Sequence, residues 1–249
     1  KIMVNKHFTV TLKPEFTASL QHGGTVGNGD ILFDWTSFDI PKGAAKLIGV
    51  TLLVRGTNGA RQEKGTVLHF AKTISGVAPS SLGTVSATAN GTGYQNHLIG
   101  AVHVDVADYK DGLDIMSVAT TGHGAGANQT PNIVLEGEPT TGTNVGYDKL
   151  YVSAIPVGAL DFRSTCETDN TAGAQGTDQA GLIVSTTSAL IHFAKGDVVH
   201  DQDDRLIGTV KSVTDATNIV FEDNLANASV DNKDLYVLSP VTVILSFEK

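Results

Sequence analysis

The chain has 249 residues, a formal net charge of −9, 17% charged and 6% aromatic residues, 27 glycines and a single cysteine. One cysteine excludes an intrachain disulfide and points to assembly in a reducing cytoplasm; a dispersed acidic surface repels nucleic acid. Abundant Gly, Thr, Val and Ser disfavour long helices and favour strands joined by glycine turns, within one large β domain or two smaller ones.

The opening "KIMVNKHFTV" contains no apolar run of signal-peptide length, and "AKLIGVTLLV" is too short to span a bilayer, so neither secretion nor membrane insertion is expected. "HFTVTLK" alternates Phe8, Val10 and Leu12 against polar neighbours and reads as a half-buried strand. "PEFTASLQHGGTVGNGD" reads as a loop, and "ILFDWTSFDI" as a second alternating strand. Pro41 and Gly43 make a turn into the long strand "AKLIGVTLLVRG", which the "GTNG" turn closes. "GTVLHFAK" is a strand. The following "TISGVAPSSLGTVSATANGTG" is too rich in small residues to hold a core.

"HLIGAVHVDV", "DIMSVAT", "NIVLEG", "KLYVSAIPV" and "ALDF" continue the strand pattern, with a flexible "TGHGAGANQTP" between two of them and one helical turn within "VADYKDGLD". Residues 164–181 are small, polar and aperiodic, and read as a linker. The short, closely spaced segments "LIVSTTSALIHFAKGDVV", "RLIGTVKSV", "NIVFED" and "DLYVLSPVTVILSFEK" suit a small barrel with bends at Gly196 and Gly208. The last strand runs past this barrel and is expected to pair beside "HFTVTLK". The organisation is therefore all-β. A jelly-roll-like β-sandwich over 1–163 is completed by 241–249, a linker spans 164–181, and a small SH3-like β-barrel spans 182–240.

Paired words recur in one order: "LHFAK" and "IHFAK", "LIGAV" and "LIGTV", "NIVLE" and "NIVFE", and "LYV" twice. A fixed order of repeated words predicts an internal duplication of one supersecondary unit. The alternative is parallel selection for strand letters.

No catalytic fingerprint is present. Asp201, Asp203 and Asp204 with His200 resemble an oxygen-rich metal loop, but Leu206 and Ser212 stand where an EF-hand needs Gly and Glu, so a polar hairpin tip is the better account. Asp105, Asp108, Asp111 and Asp114 read as a solvated turn before a calcium site. His69 and His192 occupy matched apolar positions and are expected to be structural. His123 and Cys166 lack partners at metal or nucleophile spacing. Glu136 and Glu138 follow a strand and are as consistent with solvated acids as with a glycosidase pair. Residues 196–238 carry eight Asp and one Glu against Arg205, Lys211 and Lys233, a surface that repels phosphate. No catalytic, cofactor-binding or metal residue is therefore assigned.

The runs "KGDVVHDQDDRLIGTVKSVTDATNIVFEDNL", "DLYVLSPVTVILSFEK" and "FDIPKGAAKLIGVTLLVRG" resemble pieces of virion structural proteins from tailed phages of marine bacteria, such as cyanophages. The resemblance implies a non-enzymatic decoration or cement protein that binds the major capsid protein as a homotrimer, or as a dimer. It would sit on the virion surface after assembly in the host cytoplasm, the sandwich anchoring to the shell and the barrel projecting. Extended ends such as 1–6 would add strands to a neighbour's sheet. The alternative is a tail or fibre component that binds cell-surface glycans, with Trp35 and Tyr94 as candidate contacts.

Overall fold

The structure, a computed structural model, describes residues 6–41, 43–55, 60–110, 113, 115–122, 130–139, 149–171, 173, 175–185 and 189–249. The "GTNG" turn, Asp111, Asp114 and His123, and residues 1–5 of the end expected to add strands to a neighbour, lie outside the described residues. In chain order the elements are β1 (His7–Leu12), α1 (Ala18–Gly23), β2 (Thr25–Val26), β3 (Phe33–Asp39), β4 (Ala44–Arg55), β5 (Thr66–Lys72) and β6 (Leu98–Val104). They continue with β7 (Tyr109–Lys110), β8 (Met116–Thr120), β9 (Ile133–Glu136), β10 (Lys149–Pro156), β11 (Leu160–Asp161) and β12 (Gly181–Ile183). The last part holds α2 (Ala189–His192), β13 (Val198–Asp201), β14 (Leu206–Val213), β15 (Asn218–Phe221), β16 (Leu235–Val237) and β17 (Val241–Glu248). The protein is all-β, built from antiparallel sheets, with helical structure among the described residues limited to single turns and two short helices.

Two sheets share the main core. One runs β1-β17-β4-β8-β7, with β9 also on β4; the other runs β3-β10-β5-β6. Alternation in each strand sends one face inward, as period-2 patterning requires. Val241, Val243, Leu245 and Phe247 of β17 are fully buried while the residues between them are half-exposed. They meet Phe38, Leu68, Phe70, Leu150 and Val152 of the opposite sheet in one hydrophobic cluster. Phe38 of β3 stacks on Phe247 of β17 across the layers, with centroids 6.2 Å apart. The sheet pairs nest: β1 with β17, β3 with β10, β4 with β8, β5 with β6, each antiparallel. First pairs with last, second with second-last, and so inward to the β5–β6 pair.

The five-stranded sheet β12-β15-β14-β13-β16 leaves the chain between β10 and β17 and has its own core of Leu182, Val199, Ile207, Val210, Ile219, Phe221 and Leu235. The described residues of 164–181, expected to form a linker, pack on this five-stranded unit. Cys166 is fully buried in this second core, Leu235 donates its N–H to the Cys166 carbonyl at 2.8 Å, and Glu167 and Thr168 form bridges with Asp234 and Val184. Gln175 is buried as well, its N–H donated to Ser229 Oγ at 3.0 Å. The segment lacks periodicity because side chains and isolated bridges, not a ladder, satisfy its backbone.

Three further expectations are corrected. The loop "PEFTASLQHGG" contains α1, whose Thr17 cap accepts from Leu20 N–H at 3.3 Å. "SALIHF" contains the helical turn α2 instead of a strand. The small-residue segment after β5 does hold a core: Leu82 and Tyr94 close on Ile31, with Trp35, Val85 and Ala89 packed against them. The helical turn within "VADYKDGLD" is present at Val106–Asp108, capped reciprocally by Asp105 and Asp108.

The duplication does not survive as structure. "LHFAK" lies in β5 but "IHFAK" lies in and after α2. Among the described residues β6 pairs with β5 alone, whereas its counterpart β14 pairs with β13 and β15. β9 hangs on β4, whereas β15 lies between β12 and β14. The words share letters and not partners.

Candidate functional site

Three of the described hollows gather where the five-stranded unit meets the sandwich, and a fourth lies within the five-stranded unit beside β12 and β15. Arg55 ends β4, an apolar strand that runs to the margin of its sheet, and its guanidinium crosses to the other unit. It donates to the His192 carbonyl at 3.0 Å and to Asp197 Oδ1 at 2.6 Å. Both bonds are partly sheltered from water, which strengthens charge-assisted pairs. On one side of Arg55 is an apolar hollow of about 230 Å³ walled by Leu113, Ile115, Met116, Ile191 and Ala194. On the other is a polar recess of about 30 Å³ reaching Gln21, Arg163 and Tyr236, with room only for water.

The hairpin tip of β13–β14 docks on α1. Asp204 holds the left-handed region at φ 62°, which turns its carboxylate onto the helix start. It accepts from Ala18 N–H, from Ser19 N–H at 3.2 Å and from Ser19 Oγ at 2.5 Å. Negative charge is favourable there because the first-turn N–H groups have no helical acceptor. Asp201 is buried, accepts from the Asp203 and Arg205 N–H groups, and is held by the Arg205 guanidinium. Lys233 sits 2.9 Å from Asp203, and its hydrogen bond keeps the Asp203 carboxyl below its ordinary range. The aspartates that suggested a metal loop therefore have internal cationic or N–H partners at the tip of this hairpin.

A second contact joins His22 of α1 to the edge strand β16. Its Nδ1 lies 3.1 Å from both Asp234 Oδ2 and the Tyr236 hydroxyl, and that hydroxyl donates to Asp234 at 3.2 Å. Burial first, and Asp234 second, push the Tyr236 phenol well above its usual range, so it remains a donor. The His192 pKa is lowered: burial is the main cause, the Arg55 charge adds to it and Asp234 opposes it. The His192 Nε2 is buried without a hydrogen-bond partner among the described residues.

The other candidates are dispersed. Asp108 is buried and accepts from Asp105 N–H at 2.9 Å, closing a cap. Glu138 accepts from the N–H groups of Ser75 and Gly76, pinning a tight turn, while Glu136 faces outward from β9. His69 lies in β5, its pKa lowered by burial. Trp35 donates its indole N–H to the Ser80 carbonyl at 3.0 Å and packs edge-on against Tyr94. Among the described residues, no group of three or more His, Cys, Asp or Glu is placed to hold a metal ion, and no helix is long and apolar enough to cross a membrane.

Sequence reasoning missed Arg55 and Asp204 as the groups that join the two units. The available signal for Arg55 was a cation closing a long apolar strand; for Asp204 there was none, since its partners are 185 and 186 positions away. Chemically the seam is a set of satisfied charges that fixes one unit on the other. No protein-family model matches the chain, and no curated protein is significantly similar to it.

Proposed function

We propose that this chain is a non-enzymatic structural protein of a virion, which decorates or cements the capsid of a tailed phage by binding its major capsid protein. The observation that carries the reading is the nested strand order. Numbering the eight principal strands in sequence, the two sheets run 1-8-3-6 and 2-7-4-5. That order supports a jelly roll, an architecture found in viral capsid and lectin domains. The inference from fold to role is by analogy, and the sequence resemblance to phage virion proteins points the same way. Gly196 at φ 87°, the register break between Val199 and His200, and Gly208 against Phe221 are bends that support closure of the five-stranded unit as an SH3-like barrel.

A cement protein needs a stiff β scaffold whose protruding part does not swing. Arg55 and Asp204 supply that stiffness by clamping the inserted unit at two separate points. A cytoplasmically assembled virion component also has no use for disulfides, and the single cysteine, Cys166, is buried. Partners by this reading are the major capsid protein and further copies of the chain, as a trimer or a dimer. The glycan-binding alternative needs an aromatic face offered to sugar. Trp35 and Tyr94 pack on each other in a small core instead, which favours the capsid role.

The test is quantitative mass spectrometry on heads and tails separated from phage particles carrying this protein. The expected result is copy number in the head fraction comparable with that of the major shell protein. A few copies confined to tails would replace this reading with receptor binding, and absence from both fractions would end the virion reading.

A further inference from the structure

We infer that β1 is a self-pairing edge, through which two copies of this chain join antiparallel to make one continuous sheet across a two-fold axis. Natural sheets guard their edges with breaks, charges, prolines or very short strands. Most edges here are guarded. The β3 edge has a register break between Val152 and Ala154, carries Asp34 and Asp39, and has the Ser80 carbonyl bound to Trp35. The β6 edge has a break between Phe70 and Ala71 and a glycine at Gly100. β7, β12 and β16 have two or three residues each, and β9 follows Pro131 and ends on Glu136. By contrast, β1 runs six residues in unbroken register with β17, from His7↔Glu248 to Leu12↔Val243, with no glycine, proline or carboxylate.

The phase of its hydrogen bonds says which partner fits. Lys249 donates its N–H to the Lys6 carbonyl at 2.7 Å, one step beyond the His7↔Glu248 pair. In an antiparallel ladder bonded and non-bonded pairs alternate. Lys6, Phe8, Val10 and Leu12 therefore spend their backbone groups on β17, and His7, Thr9 and Thr11 direct theirs away from the sheet. A second β1 placed antiparallel with Thr9 opposite Thr9 brings His7 opposite Thr11. Every outward residue then meets an outward residue, so the ladder closes on itself. The same register keeps faces in step: Phe8 lies opposite Val10, both half-buried against the main core, and the exposed His7, Thr9 and Thr11 stay together on the other face. Lys6 and Lys13 fall on opposite faces of the strand, so the pairing opposes no like charges. Half-burial of Phe8 and Val10 is what an edge strand with no neighbour among the described residues shows, and the second copy supplies that apolar contact. An isologous pairing of this kind closes at two subunits. It thus favours the dimer over the trimer and is independent of the virion reading, because it is measured on the isolated chain.

The experiment is sedimentation equilibrium of the full chain with three variants. Wild type is expected to sediment as a dimer of the 26.0 kDa chain. Thr9→Pro removes an outward N–H and leaves the β17 ladder whole, so it should weaken the dimer by about tenfold or more with an unchanged melting curve. Thr9→Cys should cross-link on mild oxidation, since bonded antiparallel pairs place their Cα atoms about 5.5 Å apart, within disulfide reach. Cys166 is buried and does not compete. Thr11→Cys should not cross-link, because its two copies lie roughly 13 Å apart in this register. A monomer or trimer at the highest soluble concentration, a dimer indifferent to Thr9→Pro, or equal cross-linking of the two cysteine variants would each overturn the proposal. If Thr9→Pro melts early, the contrast between the two cysteine variants still decides.

Discussion

"LHFAK" lies within a central strand of the sandwich, flanked by β10 and β6, while "IHFAK" winds through a helical turn and out of it at the seam. The letters H, F, A and K have the same propensities in both places. In β5 a strand waits on either side, so extended backbone finds donors and acceptors along its whole length. At α2 the chain instead finds single acceptors: Ala189 N–H bonds the Ala216 carbonyl and Phe193 N–H bonds Ala189, each at 3.0 Å. Partner supply, not local preference, decides which structure a β-prone word adopts. The same contrast separates a sandwich built on long ladders from a smaller unit that fills its gaps with side-chain bonds and isolated bridges.

The largest expected effect comes from the shared phenylalanine. Phe70 is fully buried between the sheets and meets Phe38 edge-on at 6.4 Å. Phe70→Ala should cost about 4 kcal/mol. Phe193 is nearly as buried but borders the recess beside Arg55. Neighbours can close around a truncation there, so Phe193→Ala should cost less, about 3 kcal/mol. Urea midpoints of the two variants measure the difference. Equal losses would mean that the seam packs as tightly as the sandwich interior.

The second word tests packing at one glycine in each unit. A Cβ on Gly208 would sit 2.9 Å from Phe221 Cδ1, and Phe221 is locked in the small core. Gly208→Ala should destabilise by about 1–3 kcal/mol through overpacking. A Cβ on Gly100 would sit 3.1 Å from Ile133 Cγ2, on the partly buried edge strand β9, which can shift by a few tenths of an ångström. Gly100→Ala should fall within about 0.5 kcal/mol of wild type, since the lost space is offset by a stiffer unfolded chain. A thermal melt of each distinguishes them, and reversal of the order would show that the sandwich layers are the less yielding.

The fold was legible wherever one strand carried one face. The alternation of Phe8 and Val10, of Val241 to Phe247, and the long run to Arg55 each name a strand, because a half-buried ladder writes its period into the sequence. The rest was written in contacts between distant residues. α1 begins where it does partly because Asp204 accepts from its first N–H groups, and nothing near Ala18 records that. Cys166 sits in a core that it shares with Leu182, Val199 and Leu235, while its own neighbours in sequence are small and polar. Ile31, Leu82 and Tyr94 make a cluster too sparse in sequence to show a period. Recurrent words suggested a duplication because letters record burial, and burial does not specify which strand lies alongside.

The shared histidine gives the smallest effect and the finest comparison. His69 and His192 both have pKa values lowered from about 6.5, each chiefly by burial. A histidine depressed in the folded state stays neutral there while its unfolded counterpart takes up a proton. Stability is therefore unaffected above about pH 7 and falls as pH drops below about 6.5, through the range between the unfolded and folded values. His69→Gln and His192→Gln should each flatten the loss of urea midpoint between neutral and mildly acid pH. The two differ in their second cause. The Arg55 guanidinium adds to the depression at His192, and no charge contributes at His69. Arg55→Met should therefore reduce the acid sensitivity that His192→Gln removes, and leave the share of His69 unchanged. If Arg55→Met left the slope intact, burial alone would account for both histidines, and the seam would differ from the sandwich in its packing but not in its electrostatics.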